Sequence, residues 1–372
     1  MQFIRNETKN VDKKKLIIAG AVALVLLAAA VTLLVIVLSS GKTTISVTAL
    51  RCNSDQDVTP FDENVLYYDG LTLYCLNSKG AEKWHYTLGN DAKFHAGEEY
   101  VVAWTGTKLV ILDRNGKATY DNQMDEPIQF ARAGDPYIAV VLGDSISPTL
   151  VIRNMQGMSV DSESNAFQDC LILDAGFFAD GEYLWTTSLD VYGSVPEITM
   201  YTFRVNQMNT GDTSLGENLV YKIIYAGDRL NVISTRLLRK FDYRGIQDNG
   251  ADQLVYGWKL IAHQVDGSEL KMLYARNDQT SNMELTDLRY LDDSMDKRYT
   301  LPSVCYGACI YKKQIFAFSD SKLYISDINA NRFSAVSLAE VEGGVTGYLG
   351  MLNNGTALVA GGDGKVYAVA IR

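Results

Sequence analysis

The chain has 372 residues, a formal net charge of −10 at pH 7 and five cysteines. This length suffices for one large β domain or two ordinary domains, and an odd number of cysteines in a chain that buries its own core does not indicate a disulfide framework. The acidic balance excludes a nucleic-acid-binding protein, because such a protein needs a face of clustered lysine and arginine.

One long apolar segment lies near the N-terminus. Residues 1–15 are polar and charged, and they predict a short cytoplasmic tail. Residues 16–38 carry no charge, and at ~1.5 Å per residue they reach ~34 Å, enough to cross the ~30 Å hydrocarbon core of a bilayer. Because Lys13, Lys14 and Lys15 precede this segment, the positive-inside rule predicts a cytoplasmic N-terminus and an extracytoplasmic C-terminal part.

A cleaved signal peptide is the alternative interpretation of this segment. Its apolar region would span about 7–15 residues and end at a small-residue cleavage site. The segment here is longer, and Val37-Leu38-Ser39-Ser40-Gly41 is a poor match to such a site. We therefore predict an uncleaved transmembrane helix at residues 16–38, a short linker at 39–42 and an extracytoplasmic domain at 43–372 of a single-pass plasma-membrane protein.

The two parts of the chain that flank the predicted membrane helix differ in net charge. Residues 1–42 contain six Lys/Arg and two Asp/Glu and carry +4, whereas the remainder contains 28 basic and 42 acidic residues and carries −14. A surface with this excess of carboxylates disfavours docking on anionic lipid as well as on nucleic acid. The predicted partners are the membrane, through residues 16–38, and an unidentified protein or cell-envelope component.

A short motif recurs along residues 43–372. It consists of Leu, three mostly apolar residues, Asn or Asp, two polar residues and Gly, as in LYCLNSKG at residues 73–80. The first four positions suit a strand, the Asn or Asp side chain bonds the turn backbone, and Gly supplies the positive φ of a tight turn. Further copies occupy residues 109–116, 150–157 and 238–245, and weaker ones begin at Leu323 and Lys365.

Another apolar strand precedes each copy. These strands are predicted at residues 65–68, 100–104, 137–142, 230–234, 315–318 and 357–360. Two degenerate units, 183–187 with 198–205 and 270–275 with 285–291, bring the number to eight hairpins in about 330 residues. Blades of a β-propeller repeat at about 40–50 residues and have four strands each.

The predicted fold class is all-β: a propeller of about eight four-stranded blades, or of seven if one degenerate unit is an insertion, preceded by one transmembrane α-helix. Both sides of the strand at residues 73–76 are apolar, as a blade packed between two neighbours requires. The last unit has three predicted strands, and an open ring would leave strand edges unpaired. Because residues 43–50 alternate like a strand, we predict that they close the ring as the outer strand of the last blade.

The repeat resembles that of a known family. Leu73-Tyr74-Cys75-Leu76-Asn77, followed by Gly80 and Trp84, is similar to the quinoprotein-type (PQQ-like) propeller repeat, in which a Trp locks neighbouring blades. Other residues take the Trp position in later units: Tyr120 in the second, Asp161 in the third and Asn249 in the fifth. A degenerate propeller behind one N-terminal helix also resembles uncharacterised envelope proteins of Gram-positive bacteria. The resemblance implies a fold and a bacterial envelope, but no activity.

Few residue patterns in the sequence indicate a catalytic, cofactor or metal site, and those few are isolated. Quinone-dependent dehydrogenases on this fold carry an adjacent cysteine pair, which this sequence lacks, and no loop alternates Asp and Asn as a calcium site does. Gly143-Asp144-Ser145-Ile146 resembles the GDS block of a lipase family but lies between two predicted strands, without that family's His. His85, His95 and His263 are scattered, and the carboxylates between Asp287 and Asp296 suit a solvated loop edge. The sequence therefore predicts no catalytic residue, no cofactor and no metal.

These observations predict a non-enzymatic, membrane-anchored extracytoplasmic propeller that acts as a scaffold for a protein or for the cell wall. The contact surface is predicted in the longest loops, around residues 188–197, 207–218 and 276–284. One alternative is a sensor with a ligand in the central channel, which would need a membrane partner because the cytoplasmic tail is short. The other is a cell-wall hydrolase, which would need clustered acidic or Ser/His side chains at the channel mouth.

Overall fold

The computed structural model describes residues 44–179 and 181–371, so the predicted tail, membrane helix and linker at residues 1–42 lie outside the described residues. Within these ranges, no helix has the length and apolar character needed to cross a bilayer. Residues Ile45–Ile371 form one unit of eight four-stranded antiparallel sheets. The predicted all-β propeller of eight blades is confirmed, and the alternative of seven blades is wrong.

Strand β1 (Ile45–Asn53) stands apart from the strands that follow it in the chain. The next sixteen strands form blades 1 to 4, with four antiparallel strands in each blade. They are β2 (Asp57–Phe61), β3 (Asn64–Tyr68), β4 (Thr72–Asn77), β5 (Glu82–Thr87); β6 (Lys93–Ala96), β7 (Tyr100–Thr105), β8 (Lys108–Asp113), β9 (Ala118–Gln123); β10 (Ile128–Ala133), β11 (Tyr137–Leu142), β12 (Thr149–Asn154), β13 (Ser159–Glu163); β14 (Cys170–Phe177), β15 (Tyr183–Asp190), β16 (Glu197–Arg204) and β17 (Met208–Gly216).

Blades 5 to 8 continue the same order. Their strands are β18 (Val220–Ala226), β19 (Arg229–Ser234), β20 (Leu237–Phe241), β21 (Gln253–Leu254); β22 (Trp258–Asp266), β23 (Glu269–Arg276), β24 (Leu285–Leu291), β25 (Asp296–Cys305); β26 (Gly307–Tyr311), β27 (Gln314–Phe318), β28 (Lys322–Asp327), β29 (Ser334–Ser337); β30 (Val345–Met351), β31 (Thr356–Gly361) and β32 (Lys365–Ile371). A 3₁₀ helix (Asn165–Phe167) and helix α1 (Asn277–Thr280) lie in connections between strands. The first strands of neighbouring blades contact one another around most of the ring, so they form its inner wall.

The ring closes where the two ends of the propeller meet. Strand β1 pairs antiparallel with β32, with Ile45 opposite Ile371 and Ala49 opposite Tyr367. The last sheet therefore has the order β30, β31, β32, β1, and its outer strand comes from the N-terminal side of the chain. The predicted closure by residues 43–50 is confirmed. The strand extends to Asn53, which pairs with Lys365 beyond a register shift.

The recurring motif forms the turn between the third and fourth strand of a blade. In blade 1 the Asn77 side-chain oxygen accepts hydrogen bonds from the backbone N–H groups of Lys79 and Ala81 at 2.9 and 3.0 Å. Gly80 then adopts a φ of 81°, which a residue with a Cβ rarely takes. Both degenerate units are complete blades, built on the hairpins β15–β16 and β23–β24.

The core consists of layers between adjacent blades. One buried cluster joins Leu73 and Cys75 of β4 to Val101 and Ala103 of β7, in the next blade. The opposite side of the same strand contributes Leu76 to the cluster between blades 8 and 1. Because each blade packs on both sides, its strands are apolar on both sides, as the sequence predicted.

Trp84 joins blade 1 to blade 2. Its buried indole lies over the turn of blade 2, where a Cβ added to Gly116 would stand 2.4 Å from the ring. The indole Nε1 also donates a hydrogen bond to the Arg114 carbonyl oxygen at 2.9 Å. The structure therefore places Trp84 in the blade-locking position that the resemblance implied.

Other residues make the same connection in the blades that lack the Trp. Tyr120 lies over Gly157 of blade 3, and the Asp161 carboxylate accepts a hydrogen bond from the Asn206 backbone N–H of blade 4 at 2.7 Å. Thr213 donates to the Gly245 carbonyl oxygen of blade 5 at 2.5 Å. The assignment of Asn249 is wrong, because this exposed residue lies in the long connection between β20 and β21 rather than on a strand.

Candidate functional site

The order of the strands defines two faces of the propeller. Because strands alternate in direction within a blade, the connections from the first to the second strand and from the third to the fourth emerge on one face. We call this the hairpin face. The connections from the second to the third strand, and from one blade to the next, emerge on the opposite face, which we call the loop face. Ile45 lies on the hairpin face, beside Ile371.

Two of the three predicted contact loops lie on the loop face. Residues 191–196 connect β15 with β16 in blade 4, and residues 277–284 connect β23 with β24 in blade 6. The third segment, 207–218, is not a loop, because Met208–Gly216 is β17 and pairs with β16 along its length. Its polar sequence suggested a loop, but the outer strand of a blade has one solvated edge and needs no continuous apolar pattern.

Large apolar side chains are exposed in the connections of the loop face on blades 3 to 6. They are Ile146, Val191, Tyr192, Val195, Leu219, Tyr256 and Met283. The connections of the hairpin face expose Met158, Tyr243 and Ile246. Contiguous exposed apolar surface is unfavourable in water and marks contact sites on folded proteins. The loop face is therefore the more apolar of the two.

The loop face is also the more acidic. Its connections carry fourteen carboxylates within the described residues: Asp55, Asp69, Asp91, Asp125, Glu126, Asp144, Asp169, Glu217, Asp278, Glu284, Asp320, Glu340, Glu342 and Asp363. The one cation in these connections is Arg236. In the described connections of the hairpin face, twelve carboxylates stand beside seven cations: Lys79, Arg114, Lys117, Arg244, Lys312, Lys313 and Arg332. The net negative charge is thus concentrated on the loop face.

The central channel contains a cavity of about 850 Å³. Its wall comes from the inner strands β6, β14, β18 and β22 of blades 2, 4, 5 and 6. Hairpin-face connections form its mouth, where the exposed carboxylates of Glu98 and Asp228 stand. Phe177, Trp185 and Ile223 supply apolar wall. The cavity therefore opens on the face opposite the apolar, acidic loop face.

Two histidines line this cavity. His95 lies on β6 and is partly buried, whereas His263 lies on β22 and is exposed to the water of the channel. Burial, and then the charge of Arg132, lower the pKa of His95 to about 4, while burial and the charge of Lys222 do the same for His263. Both imidazoles are neutral at neutral pH. The Nδ1 of His95 accepts a hydrogen bond from the Ala133 N–H at 3.1 Å, so its proton resides on Nε2.

Two cations stand near these histidines, and they differ in their partners. The Nε of Arg132 donates to an oxygen of Asp174 at 2.8 Å, so this guanidinium is paired. Lys222, on β18, also lines the cavity, and its positive charge acts on both His95 and His263. Among the described residues, no carboxylate oxygen lies within 4.0 Å of its ammonium. Lys222 is thus a solvent-exposed cation on the channel wall, and no described carboxylate pairs with it.

The other sequence motifs have structural roles. Residues 143–148, which contain the GDS block, connect β11 with β12 on the loop face. In the carboxylate run, Asp296 pairs with Arg289 at 2.8 Å, and Asp292 accepts hydrogen bonds from the backbone N–H groups of Ser294 and Met295. Groups of three or more His, Cys, Asp or Glu that could hold a metal ion do not occur in the part of the chain that the structure describes.

The sequence did not predict that His95, Lys222 and His263 would line the same cavity. They come from blades 2, 5 and 6, and the sequence treats the histidines as isolated strand residues. Their strand positions could have predicted this placement. All three residues lie on the first strand of a unit, and first strands surround the channel of a propeller.

Comparison with known proteins identifies a family and a fold. A model described as a family of unknown function (DUF5711) matches residues 39–335. Solved structures with similar folds include BamB from Moraxella catarrhalis (TM-score 0.54, 13% identity, 87% of this chain and 98% of the other). Saccharomyces cerevisiae Sqt1 is also similar (TM-score 0.55, 12% identity, 87% of this chain and 99% of the other). The WD40 domain of fission yeast SCAP is similar as well (TM-score 0.56, 10% identity, 89% of this chain and 97% of the other). A search of curated proteins found no match. At these identities the structural similarity establishes the propeller fold alone.

Proposed function

The chain belongs to the DUF5711 family of unknown function, and we propose that it is a membrane-anchored extracytoplasmic scaffold that binds a protein partner through its loop face. The observation that carries the proposal is the combination of exposed apolar side chains and excess carboxylates on that face. Propellers of this kind present broad rigid faces whose connections decide what they bind. We assign the protein no catalytic role.

The charge of the loop face indicates the chemistry of the partner. Fourteen carboxylates against one cation would repel a second copy of the same face, an anionic lipid surface or a nucleic acid. A protein surface with apolar side chains surrounded by Lys and Arg would satisfy both features. The proposed partner is therefore a different protein with a basic contact surface, and its association should weaken as salt concentration rises.

The proposed location depends on the N-terminal sequence. Residues 16–38 are uncharged and long enough to cross a bilayer, and three lysines directly precede them. We propose that this segment anchors the protein in a bacterial plasma membrane with the propeller outside. The chain enters the propeller on the hairpin face, at Ile45, so the loop face carries no chain entry.

A matched pair of substitutions tests the proposed contact face. Leu219 on the loop face and Ile246 on the hairpin face are each 58% exposed. Site-specific photocrosslinking from position 219 in intact cells would first identify the partner. Leu219→Lys is then expected to weaken binding to the purified partner by roughly 10- to 100-fold, as at a binding hot spot, because it places a charge in an apolar contact and the basic partner repels it. Ile246→Lys should leave the affinity within about twofold.

The reverse pattern, with Ile246→Lys as the damaging change, would move the contact to the hairpin face. Equal affinity for wild type and both variants would remove the loop face from the proposal. Crosslinking of position 219 to another copy of the chain would replace the proposed partner with self-association, which sedimentation of the purified protein would measure.

The location is tested with Leu219→Cys. A membrane-impermeant maleimide is expected to label this variant in intact cells, because the side chain at position 219 is exposed and the propeller lies outside. Ile246→Cys should be labelled as well, since both faces belong to the same domain. Labelling of either variant only after the cells are lysed would place the propeller in the cytoplasm.

A further inference from the structure

We infer that the central channel is a second binding site, which takes a small ligand with one oxyanion group and holds that group between Lys222, His95 and His263. The site is independent of the proposed contact on the loop face. Its mouth is on the hairpin face, so a channel ligand and a loop-face partner would not compete for the same surface.

The first argument is that Lys222 has no counter-charge. The Lys271 ammonium, on the second strand of blade 6, by contrast lies 2.9 Å from an Asp266 oxygen. Arg132, beside the same channel, is paired with Asp174. The Lys222 side chain is exposed to the water of the channel, so a diffusing anion can reach its ammonium, and the surrounding protein screens their attraction less than bulk water does. Lys222 therefore provides an attractive position for an oxyanion within the channel.

The second argument is that both histidines line the same cavity as this cation and are neutral at pH 7. His95 keeps its proton on Nε2, because Nδ1 accepts from the Ala133 backbone. A neutral imidazole carries one N–H group that can donate to an oxyanion, and strands β6 and β22 hold the two imidazoles on the channel wall. In the proposed site Lys222 supplies the charge, and the two imidazoles supply N–H groups from blades 2 and 6.

The third argument concerns the size and charge of the ligand. A cavity of about 850 Å³ lies in the ~300–1,000 Å³ range of small-molecule sites. Phe177, Trp185 and Ile223 would contact an apolar portion of the ligand. The carboxylates of Glu98 and Asp228 at the mouth would repel multiply charged anions such as nucleotides. The chemistry that fits is a compound with a single carboxylate or phosphate group.

Anion binding is expected to raise the pKa of both histidines. The groups that face His95 are Arg132, Asp174 and Lys222, and Lys222 also faces His263. A bound negative charge would offset Lys222 and stabilise the imidazolium, so the histidine pKa should rise from about 4. By linkage, the anion should bind more tightly as pH falls from 7 towards 5.

The chain contains three histidines, which makes the titration directly observable. In the full-length protein labelled with ¹⁵N-histidine, inorganic phosphate and acetate would be titrated separately at constant ionic strength. We expect saturable shifts of the His95 and His263 imidazole signals with at least one of the two anions. The His85 signal should not move, because this residue lies on the outer strand of blade 1.

Two variants separate a site from a general salt effect. Lys222→Gln should weaken anion binding by at least ~10-fold, since it removes the charged partner of the hydrogen bonds. Lys79→Gln, an exposed lysine on the hairpin face outside the cavity, should leave the affinity unchanged. A preference for acetate would indicate a carboxylate ligand and a preference for phosphate a phosphate ligand. The inference is overturned if neither anion gives a saturable shift, or if Lys222→Gln binds as tightly as wild type.

Discussion

Deleting residues 1–53 is expected to prevent the propeller from folding as a soluble monomer. The deletion removes β1 and leaves β32 as an exposed edge of blade 8. It also removes the buried side chains of Leu50 and Cys52, and burial of a Leu side chain alone is worth about 1.5–3 kcal/mol. A domain of this kind has a total stability of about 5–15 kcal/mol, so losing these contacts and the strand pairing should bring the folded state close to unfolding. Size-exclusion chromatography and circular dichroism would measure the outcome.

The control is a shorter deletion that retains strand β1 and thus the closure of the ring. A chain that starts at residue 44 keeps β1 and its pairing from Ile45 to Asn53, and it should unfold cooperatively at the temperature of the full-length protein. If the chain lacking residues 1–53 were as stable as this control, β1 would have no part in closing the ring. Recovery of folding when a peptide of residues 45–53 is added would support closure by pairing.

Trp84→Ala is expected to destabilise the propeller by about 3–5 kcal/mol. The indole is buried between blades 1 and 2, and its truncation leaves a cavity against the Gly116 turn. The Arg114 carbonyl oxygen also loses the donor at 2.9 Å. Urea unfolding followed by circular dichroism would show the change as a lower midpoint with an unchanged slope.

Two further variants test the mechanism behind this loss. Lys83→Ala, at the exposed neighbouring position on β5, should change stability by less than about 0.5 kcal/mol. Gly116→Ala should destabilise wild type more than it destabilises Trp84→Ala, because the added Cβ would meet the indole at 2.4 Å only when the indole is present. Additive effects of Trp84→Ala and Gly116→Ala would contradict direct packing between these residues.

The number of blades and the closure of the ring by β1 were predictable from the sequence, because both depend on local chemistry. The Asn77 turn, the positive φ of Gly80 and the apolar strands on both sides recur with a regular period, and each has a short-range physical cause. The outer strand β17 was not predictable in the same way. It pairs through its backbone with β16, and its side chains do not need an apolar pattern to do so.

The channel and the charged face depend on the closed ring. His95 and His263 are 168 positions apart in the sequence, and they share a cavity because both lie on inner strands. The carboxylates of the loop face are spread along the whole chain, from Asp55 to Asp363, and the sequence shows no cluster of them. The connections of the two faces carry similar numbers of carboxylates, and the loop face is the more acidic because only one cation of the described connections lies there. Successive connections of the chain alternate between the two faces, so this asymmetry follows only from the strand order. The sequence predicted loops at 188–197 and 276–284 but not this asymmetry of charge.

The position of β1 also determines how the propeller would respond to mechanical force. The strand runs from Ile45 on the hairpin face to Asn53 near the loop face, and it pairs with β32 over this length. A pull on the chain before Ile45, directed away from the loop face, would act along the strand axis. The β1–β32 hydrogen bonds would then be strained together in shear rather than broken one after another. A partner held on the loop face could thus be tethered under tension without opening the ring.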